Sequence, residues 1–417
     1  MLLRGERPLP GLPQETSEGS RLTRALRRVR NAFSIAAFAV GLAACAGTGG
    51  APSGEIFSSQ PVEAPPQAGS NIGGGQIRVG LILPLSAQGN AGIAAQSMKN
   101  AAEMALNEFK DPNIQLLVKD DAGTPQGAQL AAQQALDEGA ELIVGPLFAQ
   151  SVSAVGAVAR SRNIPVIAFS TDASVASRGV YLLSFLPESD VRRIVEYAAS
   201  RGKRSFAAML PDNAYGAVVE AALQQEVARR GGRVVVLEKY SQDAARMTES
   251  ARRVAAAAGS IDNIFIADGA DAVPQVVQAL TSNGVNAKRI QLLGTGLWDD
   301  PRIFSNPALE GGWFAAPESA GFRNFAGRYR ARYGNDPVRT ATLSYDAVAL
   351  VAALVKTQGA QRFSEQILTN SSGFAGIDGI FRFRPDGTSE RGLSVMQVAP
   401  GGGRVVGPAP KSFTPGT

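Results

Sequence analysis

The sequence predicts an α/β fold of two lobes, each built on a parallel sheet with helices on both faces. From residue 77 to residue 293, short apolar runs alternate with alanine-rich stretches of helical period. Such alternation is typical of parallel sheets covered on both faces. A single sheet would need about ten strands, so two lobes of about four to six strands each are expected. A cleft between the lobes would lie at the carboxyl ends of the strands, where ligands of these folds bind.

The first strand–loop–helix unit sets the pattern, with a strand over residues 77–83. The apolar face of its helix consists of Met98, Ala101, Ala102, Ala105, Leu106 and Phe109. Further strands are predicted at residues 114–119, 141–144, 165–169, 205–210, 233–240, 263–267 and 291–293. Helices are predicted at residues 127–138, 152–162, 191–201, 215–230, 246–258 and 272–283.

The first 44 residues are predicted to be an export signal. Five arginines between residues 21 and 30 precede a charge-free apolar run at residues 32–44. That run is shorter than the ~20 residues that a membrane-spanning helix needs, and it suits a signal peptide. The run ends directly before Cys45, the only cysteine of the chain.

The sequence Leu42-Ala43-Ala44-Cys45 resembles a bacterial lipobox. The resemblance implies cleavage before Cys45 and lipidation of its sulfur and new amino group, which gives a stable anchor because several acyl chains insert together. Ala46 follows rather than aspartate, which favours the outer membrane. The alternative is that Cys45 is an ordinary small residue at the end of a signal peptide.

Residues 45–76 are predicted to be a lipidated cysteine followed by a flexible linker. Of the 31 residues 46–76, 16 are glycine, proline or serine, and only two are charged. Such a composition buries too little apolar surface to fold. The folded part would therefore be tethered to the membrane through its lipid anchor alone.

Composition excludes several kinds of enzyme. The chain has no histidine, which excludes Ser/His/Asp and Cys/His catalytic units and HExxH metal sites. Its single cysteine excludes internal disulfides and cysteine-cluster zinc. No phosphate-binding GxxxxGK[ST] loop is present, and the serine motifs of penicillin-binding enzymes do not occur in their required order. We therefore expect a non-enzymatic protein without cofactor or metal.

The basic character of the chain belongs mostly to the export signal. Lysine and arginine number 41 against 36 aspartates and glutamates, a net charge of +5. Residues 1–44 carry seven arginines and three glutamates, so the rest has 41 − 7 = 34 basic and 36 − 3 = 33 acidic residues. No nucleic-acid partner is expected, because the arginines at residues 229–230, 252–253, 328, 330 and 332 are predicted to lie at solvated positions of helices.

Eight short motifs occur in an order that resembles the type I periplasmic-binding-protein family, in particular its leucine-binding branch. They are ILPLS at residues 82–86, KDDAGTP at 119–125, IVGPL at 143–147, IPVIAFS at 164–170, DNAYG at 212–216, SYDA at 344–347, FAGIDGIFRF at 374–383 and PDGT at 385–388. The resemblance implies two Rossmann-like lobes joined by three crossovers, near residues 184–187, 312–317 and 371–376. The first lobe would comprise residues 77–187 and 313–370, the second lobe residues 188–312 and 371–400, and residues 401–417 would be a disordered tail.

The same resemblance implies a cleft for a small amino-acid-like ligand. Hydroxyl-rich loops after parallel strands suit a carboxylate, because helix amino termini present N–H groups there. The implied cleft residues are Ser86, Ser151, Ser170, Thr171, Asp172, Tyr215, Gly296 and Trp298.

Gly296 stands where the family has the glutamate that binds the ligand's ammonium group. Burying an ammonium without a carboxylate partner is costly, so the departure counts against a classical amino-acid ligand. Asp172 is one possible substitute, and the alternative for Asp172 is the N-cap of a short helix at residues 173–176.

The departures themselves resemble the branch formed by penicillin-binding-protein activator lipoproteins. They are LGTGLW at residues 293–298, LEGGWF at residues 309–314 and the GPL loop at residues 145–147. That resemblance implies an outer-membrane lipoprotein whose partner is a peptidoglycan synthase, stimulated by contact. The alternative is the solute-binding subunit of an amino-acid ABC importer, whose partner is the ABC permease. Trp298 and Trp313 are interpreted either as binding residues or as core residues.

Overall fold

The computed structural model describes residues 71–241 and 243–413. The predicted export signal, the lipidation site Cys45 and most of the linker lie outside the described residues. Within the described ranges, the chain forms an α/β structure with two main sheets, one in each lobe, and a small third sheet. No helix in these ranges is both long enough and apolar enough to span a bilayer.

The first lobe contains a five-stranded sheet in which all neighbours run parallel, in the order β2-β1-β3-β4-β5. Its strands are β1 (Ile77–Leu83), β2 (Ile114–Asp120), β3 (Leu142–Val144), β4 (Val166–Ala168) and β5 (Val180–Leu182). Its helices are α1 (Asn90–Glu108), α2 (Pro125–Asp137), α3 (Ala149–Ser161), α9 (Ser319–Tyr333), α10 (Ala341–Thr357) and α11 (Glu365–Leu368). The apolar face predicted for α1 packs into the lobe's core, where Met98, Ala102 and Ala105 are fully buried.

The second lobe contains a seven-stranded sheet in the order β15-β14-β10-β9-β8-β6-β7. Its strands are β6 (Ser205–Pro211), β7 (Arg233–Tyr240), β8 (Asn263–Ile266), β9 (Gln291–Gly294), β10 (Trp313–Ala316), β14 (Ser394–Ala399) and β15 (Gly402–Gly407). Its helices are α4 (Pro187–Ser200), α5 (Ala214–Arg229), α6 (Ala244–Ala256), α7 (Val273–Ser282) and α8 (Pro301–Phe304). The strands from β7 to β10 pair parallel, whereas β14 and β15 pair antiparallel.

The third sheet is a short meander of β11 (Phe374–Gly376), β12 (Gly379–Phe383) and β13 (Ser389–Arg391). It belongs to the first lobe, because Phe381 and Phe383 lie in that lobe's core beside Tyr181. The amide of Leu182 also donates a hydrogen bond of 2.8 Å to the carbonyl of Gly387. The first lobe is thus completed by residues that follow most of the second lobe in sequence.

The chain passes between the lobes three times, at residues 183–186, 317–318 and 392–393. The α/β fold with parallel sheets and three crossovers is therefore confirmed, but two predicted boundaries were wrong. Residues 313–316 belong to the second lobe, because β10 pairs with β9 and β14. The third crossing lies near residue 392 rather than at residues 371–376, because the aromatic residues of the meander pack on the first lobe.

The predictions for the two ends of the folded region also need correction. Residues 402–407 form the edge strand β15, so a disordered tail does not begin at residue 401. At the other end, Ile72 pairs with Leu116 through hydrogen bonds of 3.0 and 2.8 Å, so the flexible linker does not reach residue 76. Both segments satisfy the unpaired backbone groups of an outer strand, a need that composition does not reveal.

Candidate functional site

The carboxyl ends of both parallel sheets lie beside the same crossing segment. Strand β5 ends at Leu182, and only residues 183–189 separate it from Asp190 in the first turn of α4. Asp190 contacts the loop that follows β9, since its Oδ2 accepts a hydrogen bond of 2.9 Å from the amide of Gly296. The loops at this edge of the two sheets therefore form the candidate site.

Ser86 lies in the loop after β1 and is exposed. Its amide donates a hydrogen bond of 3.2 Å to Oδ1 of Asp120, the last residue of β2, which also accepts the amide of Ala122 at 2.9 Å. Asp120 thus joins the loops that follow two neighbouring strands. The Ser86 side chain is left accessible at the edge of the sheet.

Ser151 is almost fully buried in the first turn of α3. Its hydroxyl donates a hydrogen bond of 3.4 Å to the carbonyl of Thr124 and also faces Asp121, which is fully buried. Burial raises the pKa of Asp121 to about 6, although the amide of Gly123 and the Ser151 hydroxyl oppose the shift. Ser151 therefore stabilises the loop beneath the cleft surface, and its hydroxyl is not presented to a ligand in this conformation.

The loop after β4 presents two of its three predicted residues. Ser170 is buried, and its Oγ accepts a hydrogen bond of 3.1 Å from the amide of Asp172. Thr171 and Asp172 are exposed. Oδ1 of Asp172 accepts the amide of Ser174 at 2.9 Å and caps the short 3₁₀ helix Ala173–Val175. The capping alternative for Asp172 is therefore the one that the structure shows.

Tyr215 lies in the second lobe at the start of α5 and is partly buried. Asn213 caps this helix, because its Oδ1 accepts the amide of Gly216 at 2.9 Å. The cap directs the Tyr215 hydroxyl toward the loop after β9, where it lies 3.0 Å from Oγ1 of Thr295. Burial raises the pKa of Tyr215 well above its ordinary value, so the phenol stays protonated at neutral pH and can donate or accept a hydrogen bond.

A second tyrosine and an acid lie at the same edge. The hydroxyl of Tyr240, the last residue of β7, donates a hydrogen bond of 2.7 Å to Oδ2 of Asp268 in the loop after β8. Oδ1 of Asp268 accepts the amide of Gly269 at 2.8 Å. Both oxygens of this carboxylate are therefore committed within the protein.

Asp190 has a different environment. Burial raises its pKa to about 7, the amide of Gly296 and the charge of Arg391 lower it, and the charge of Glu188 raises it. Among the salt bridges of the described residues, none includes Asp190. A carboxylate without a close cationic partner thus lies next to the glycine that replaces the expected acid.

Trp298 was wrongly assigned to the cleft. It is fully buried in the core of the second lobe, in the same apolar cluster as Leu292, Leu309 and Phe314. Its indole is in the core because Gly294 leaves space for it. Of the predicted cleft residues, the structure therefore leaves Ser86, Thr171, Tyr215 and Gly296 at the accessible edge, together with Asp172 as a cap.

Comparison with known families agrees with this architecture. The family model described as periplasmic binding protein matches residues 76–403. The chain belongs to the periplasmic binding protein family. Proteins of this family act on the periplasmic side of the cell envelope, which gives the coarse location of this binding protein.

Two curated relatives share part of the sequence of this periplasmic binding protein. An uncharacterised protein of Rickettsia prowazekii, RP748, is 20% identical over 179 residues, which are 43% of this chain and 47% of that protein. The penicillin-binding protein activator LpoA of Klebsiella pneumoniae is 27% identical over 135 residues, which are 32% of this chain and 19% of the activator. The matched region thus spans less than half the length of these relatives.

Solved structures share the fold of this binding protein over nearly their full length. A putative branched-chain amino acid ABC transporter from Rhodospirillum rubrum superposes with a TM-score of 0.70 at 21% identity, covering 79% of this chain and 99% of that one. A branched-chain amino acid periplasmic ligand-binding protein from Burkholderia xenovorans gives a TM-score of 0.65 at 19% identity, covering 80% and 96%. These likenesses show the two-lobed fold.

Two residues of the site, Asp190 and Thr295, were not predicted from the sequence of this binding protein. Thr295 directly precedes Gly296 in the loop after a predicted strand, so the sequence could have placed it at the site. Asp190 lies in a helix after the first crossing, where no strand-end motif marks it. Only the tertiary structure shows that Asp190 lies beside Gly296.

Proposed function

We propose that this chain is a non-enzymatic envelope lipoprotein that activates a peptidoglycan synthase, a penicillin-binding protein, by direct contact. Its 27% identity with the LpoA activators supports this function. The leader and Cys45 support a lipid anchor on the periplasmic face of the envelope, and Ala46 favours the outer membrane. The observation that carries the proposal is the exposed side chain of Leu297.

Leu297 lies in the short 3₁₀ helix Gly296–Trp298 and is 47% exposed, whereas Thr295, two residues before it, and Trp298, directly after it, are fully buried. The hydrogen bond from Gly296 to Asp190 also fixes this turn. A leucine that leaves about half of its surface in water contributes less to the stability of the fold than a buried one. Together with other exposed apolar side chains at the same edge, such a residue can form a surface that contacts another molecule.

Three more exposed apolar side chains lie at corresponding places of the two lobes. Phe148 directly precedes α3, Ile93 is the fourth residue of α1 and Val218 is the fifth residue of α5. Each follows the carboxyl end of a strand, so all are at the cleft edge of their sheets. We call Ile93, Phe148, Val218 and Leu297 the apolar rim. A protein partner that covers this rim would bury apolar surface from both lobes.

The test uses the full lipidated chain in detergent micelles with the peptidoglycan synthase of the same organism. We expect the chain to bind the synthase in surface plasmon resonance and to raise its rate of glycan polymerisation. Leu297→Ser and Phe148→Ser should each weaken binding at least fivefold. Leu130→Ser is the matched control, because Leu130 is 61% exposed but lies in the middle of α2. Absence of binding and stimulation, or equal loss in the control, would contradict the proposal.

A second candidate function is the solute-binding subunit of an amino-acid ABC importer. The observation that favours it is the polar edge formed by Tyr215 and Asp190, both partly exposed, which offers a hydroxyl group and a carboxylate to a small polar ligand. Uptake of labelled leucine by cells with and without the gene measures this function. Unchanged uptake in the deletion strain would count against it.

A further inference from the structure

We propose that an arginine-lined cavity between helix α4 and the meander of the first lobe binds the phosphate group of a small phosphate monoester. The cavity has a volume of about 490 Å³. Small-molecule sites usually have volumes of about 300–1,000 Å³. Among the described residues, its lining includes none at the accessible cleft edge and none of the apolar rim. The site is therefore separate from the surfaces on which the two candidate functions depend.

The lining of this cavity carries an excess of positive charge. It contains two glutamates and five arginines, which are Arg192, Arg193, Arg230, Arg382 and Arg391. Each glutamate is shared between two arginines at nitrogen–oxygen distances of 2.9–4.0 Å, Glu390 between Arg192 and Arg382, and Glu196 between Arg193 and Arg230. Arg391 has no such partner in the lining. A concave surface with this excess of cations attracts an anion.

Arg391, the last residue of β13, is the buried cation of this cavity, with only 6% of its surface exposed. Its Nε donates a hydrogen bond of 3.0 Å to the carbonyl of Ser184. Its Cζ lies 4.8 and 5.6 Å from the ring centroids of Phe185 and Phe381, so both rings help to hold the guanidinium in place. Nη1 and Nη2 have no hydrogen-bond partner among the described residues. Open donors of a buried charge destabilise the protein, and an oxyanion bound to both nitrogens would satisfy them.

Two acids of the first lobe act on the charge of Arg391 without taking up these donors. Burial lowers the pKa of the Arg391 guanidinium, and the charges of Asp378 and Asp346 oppose that shift. The carboxylate of Asp378 accepts hydrogen bonds of 2.6 and 2.9 Å from Arg339 instead. Burial raises the pKa of Asp346 to about 7, so this carboxyl is only partly ionised at neutral pH. Arg391 is thus left to bind an anion from elsewhere.

The second lobe supplies a further open donor. Nε of Arg230, the residue after α5, is buried and has no hydrogen-bond partner among the described residues. Guanidinium groups of both lobes therefore line one cavity, which suits an anion with several oxygens better than a planar carboxylate. A phosphate monoester carries about −1.5 to −2 charges at pH 7 and three acceptor oxygens. Its charge also matches the excess of the lining better than the single charge of a carboxylate.

The remaining lining explains why an ester is expected rather than the phosphate ion alone. Leu393, Pro408, Pro410 and Phe413 add apolar surface to the same cavity. Small-molecule sites typically combine such a surface with a few polar groups that fix the ligand's orientation. The apolar residues would contact the organic part of the ester, and the arginines would hold its phosphate.

The decisive experiment measures binding to the full lipidated chain in micelles of a non-ionic detergent by isothermal titration calorimetry. The probes are inorganic phosphate, glycerol 3-phosphate and, as the carboxylate comparison, acetate. We expect saturable binding of both phosphate probes, with glycerol 3-phosphate the tighter of the two, and weaker or no binding of acetate. Absence of binding by both phosphate probes would overturn the proposal, and so would acetate that binds as tightly as they do.

A fourth probe distinguishes the two sources of a phosphate monoester. Dihexanoyl phosphatidic acid carries the same phosphate on a short-chain lipid, and its titration into empty micelles is subtracted. Tighter binding of this lipid than of glycerol 3-phosphate would assign the cavity to a lipid headgroup. The reverse order would assign it to a soluble ester, and either order supports the site.

Variants of the arginines locate the bound phosphate. Arg391→Gln removes the charge and the paired donors, so phosphate should bind about tenfold more weakly or worse. Arg230→Gln should weaken binding in the same direction, and it keeps the test decisive if Arg391→Gln does not fold, because the Arg230 side chain is 36% exposed. Arg384→Gln is the matched control, because Arg384 is equally exposed and pairs with Glu390 at 3.0 Å but does not line the cavity. Its affinity for phosphate should be nearly unchanged.

Glu196→Gln separates a binding role of the cavity from a structural one. The substitution removes a negative charge from the lining, so phosphate should bind more tightly, whereas a variant that only loosened the fold would bind it more weakly. The thermal midpoint of each variant without phosphate shows whether it is folded. Full affinity in both Arg391→Gln and Arg230→Gln, or weaker binding in a folded Glu196→Gln protein, would overturn the assignment.

Discussion

The indole ring of Trp298 fills the space that a side chain at Gly294 would need. A Cβ built on Gly294 would lie 2.2 Å from Cδ2 of the indole, a distance at which atoms overlap. Gly312 approaches the same ring from β10's side, where a Cβ would lie 2.9 Å from Cζ3. Gly294 and Gly312 therefore serve core packing. Their lack of side chains explains how the core accommodates the Trp298 indole.

Gly294→Ala should destabilise the second lobe. The added methyl group must displace a fully buried indole, and overpacking of this kind costs about 1–3 kcal/mol. Urea denaturation followed by tryptophan fluorescence measures the loss. Gly259→Ala is the control, because a Cβ at Gly259 would meet no atom within 4 Å. Equal stability of the two variants would show that the packing of the Trp298 indole does not require glycine at residue 294.

Strand ends and helix faces of the α/β units could be predicted because each depends on local pattern. The strand at Ile77–Leu83 was predicted to the residue, and the predicted strand at residues 233–240 coincides with β7. The burial of Trp298 could not be predicted, because it depends on two glycines that are distant in sequence and adjacent in space. The same is true of Asp190, which reaches Gly296 across 106 residues of chain.

The boundaries predicted near the end of the chain, at residues 371–376 and 401, were wrong for a related reason. The meander at residues 374–391 has the pattern of a hairpin, but nothing in that pattern says which lobe its aromatic residues will cover. Phe381 packs in the core of the first lobe, whereas the antiparallel partner of β10 is supplied later in the sequence, by β14. The segment that fills the edge of a sheet is decided by the topology of the whole chain. Composition alone therefore led to the wrong prediction that residues 402–407 belong to a disordered tail.

Asp378→Ala should cost about 1.5–3 kcal/mol, the range for hydrogen bonds to a charged group, because the Arg339 side chain is 37% exposed and can be solvated when its partner is removed. Asp378 is almost fully buried, and its two oxygens accept hydrogen bonds of 2.6 and 2.9 Å from the guanidinium of Arg339. Thr342 donates a third bond of 2.6 Å to the same carboxylate. Chemical denaturation measures the change. Asp336→Ala removes the exposed partner of Arg330 and should cost less than about 1 kcal/mol; a similar cost for both would contradict this prediction.

The stability of the ligand-free protein should fall as the pH rises from about 4 to about 7. Burial raises the pKa of Asp346 to about 7, against a value near 3.8 when unfolded, so the folded state binds this proton more tightly. Asp378 also raises this pKa, whereas Arg391, Arg339 and the amide of Ile377 lower it. Three pKa units correspond to at most about 4 kcal/mol.

Asp346→Asn should flatten this dependence, because the amide has no proton to lose in that range. The test measures the free energy of unfolding in urea at four pH values about one unit apart, from about 4.5 to about 7.5, for both proteins. Part of the slope should persist, since burial also raises the pKa of Asp121 and Asp190. A slope identical to that of the unmodified protein would show that Asp346 titrates outside this window.

Removal of the residues after Pro400 should destabilise the second lobe, because β15 is an integral edge strand. It pairs with β14 along its length, and the hydroxyl of Tyr197 donates a hydrogen bond of 3.0 Å to the carbonyl of Val406. Arg193 donates a further bond of 2.8 Å to the carbonyl of Pro408. Truncation would leave these donors, and the backbone groups along the outer edge of β14, without partners. Their loss lowers the free energy of unfolding wherever water cannot replace the missing hydrogen bonds.

Hydrogen exchange measures the effect of this truncation locally. The amides of β14 that face β15 should exchange much faster in the truncated chain, and the thermal midpoint should fall by several degrees. Val405→Ser is the control, because Val405 is 41% exposed and its replacement keeps every backbone hydrogen bond of the strand. If the truncated chain kept its midpoint and its slow exchange, β15 would be an appendage whose pairing contributes nothing, and the second-lobe sheet would end at β14.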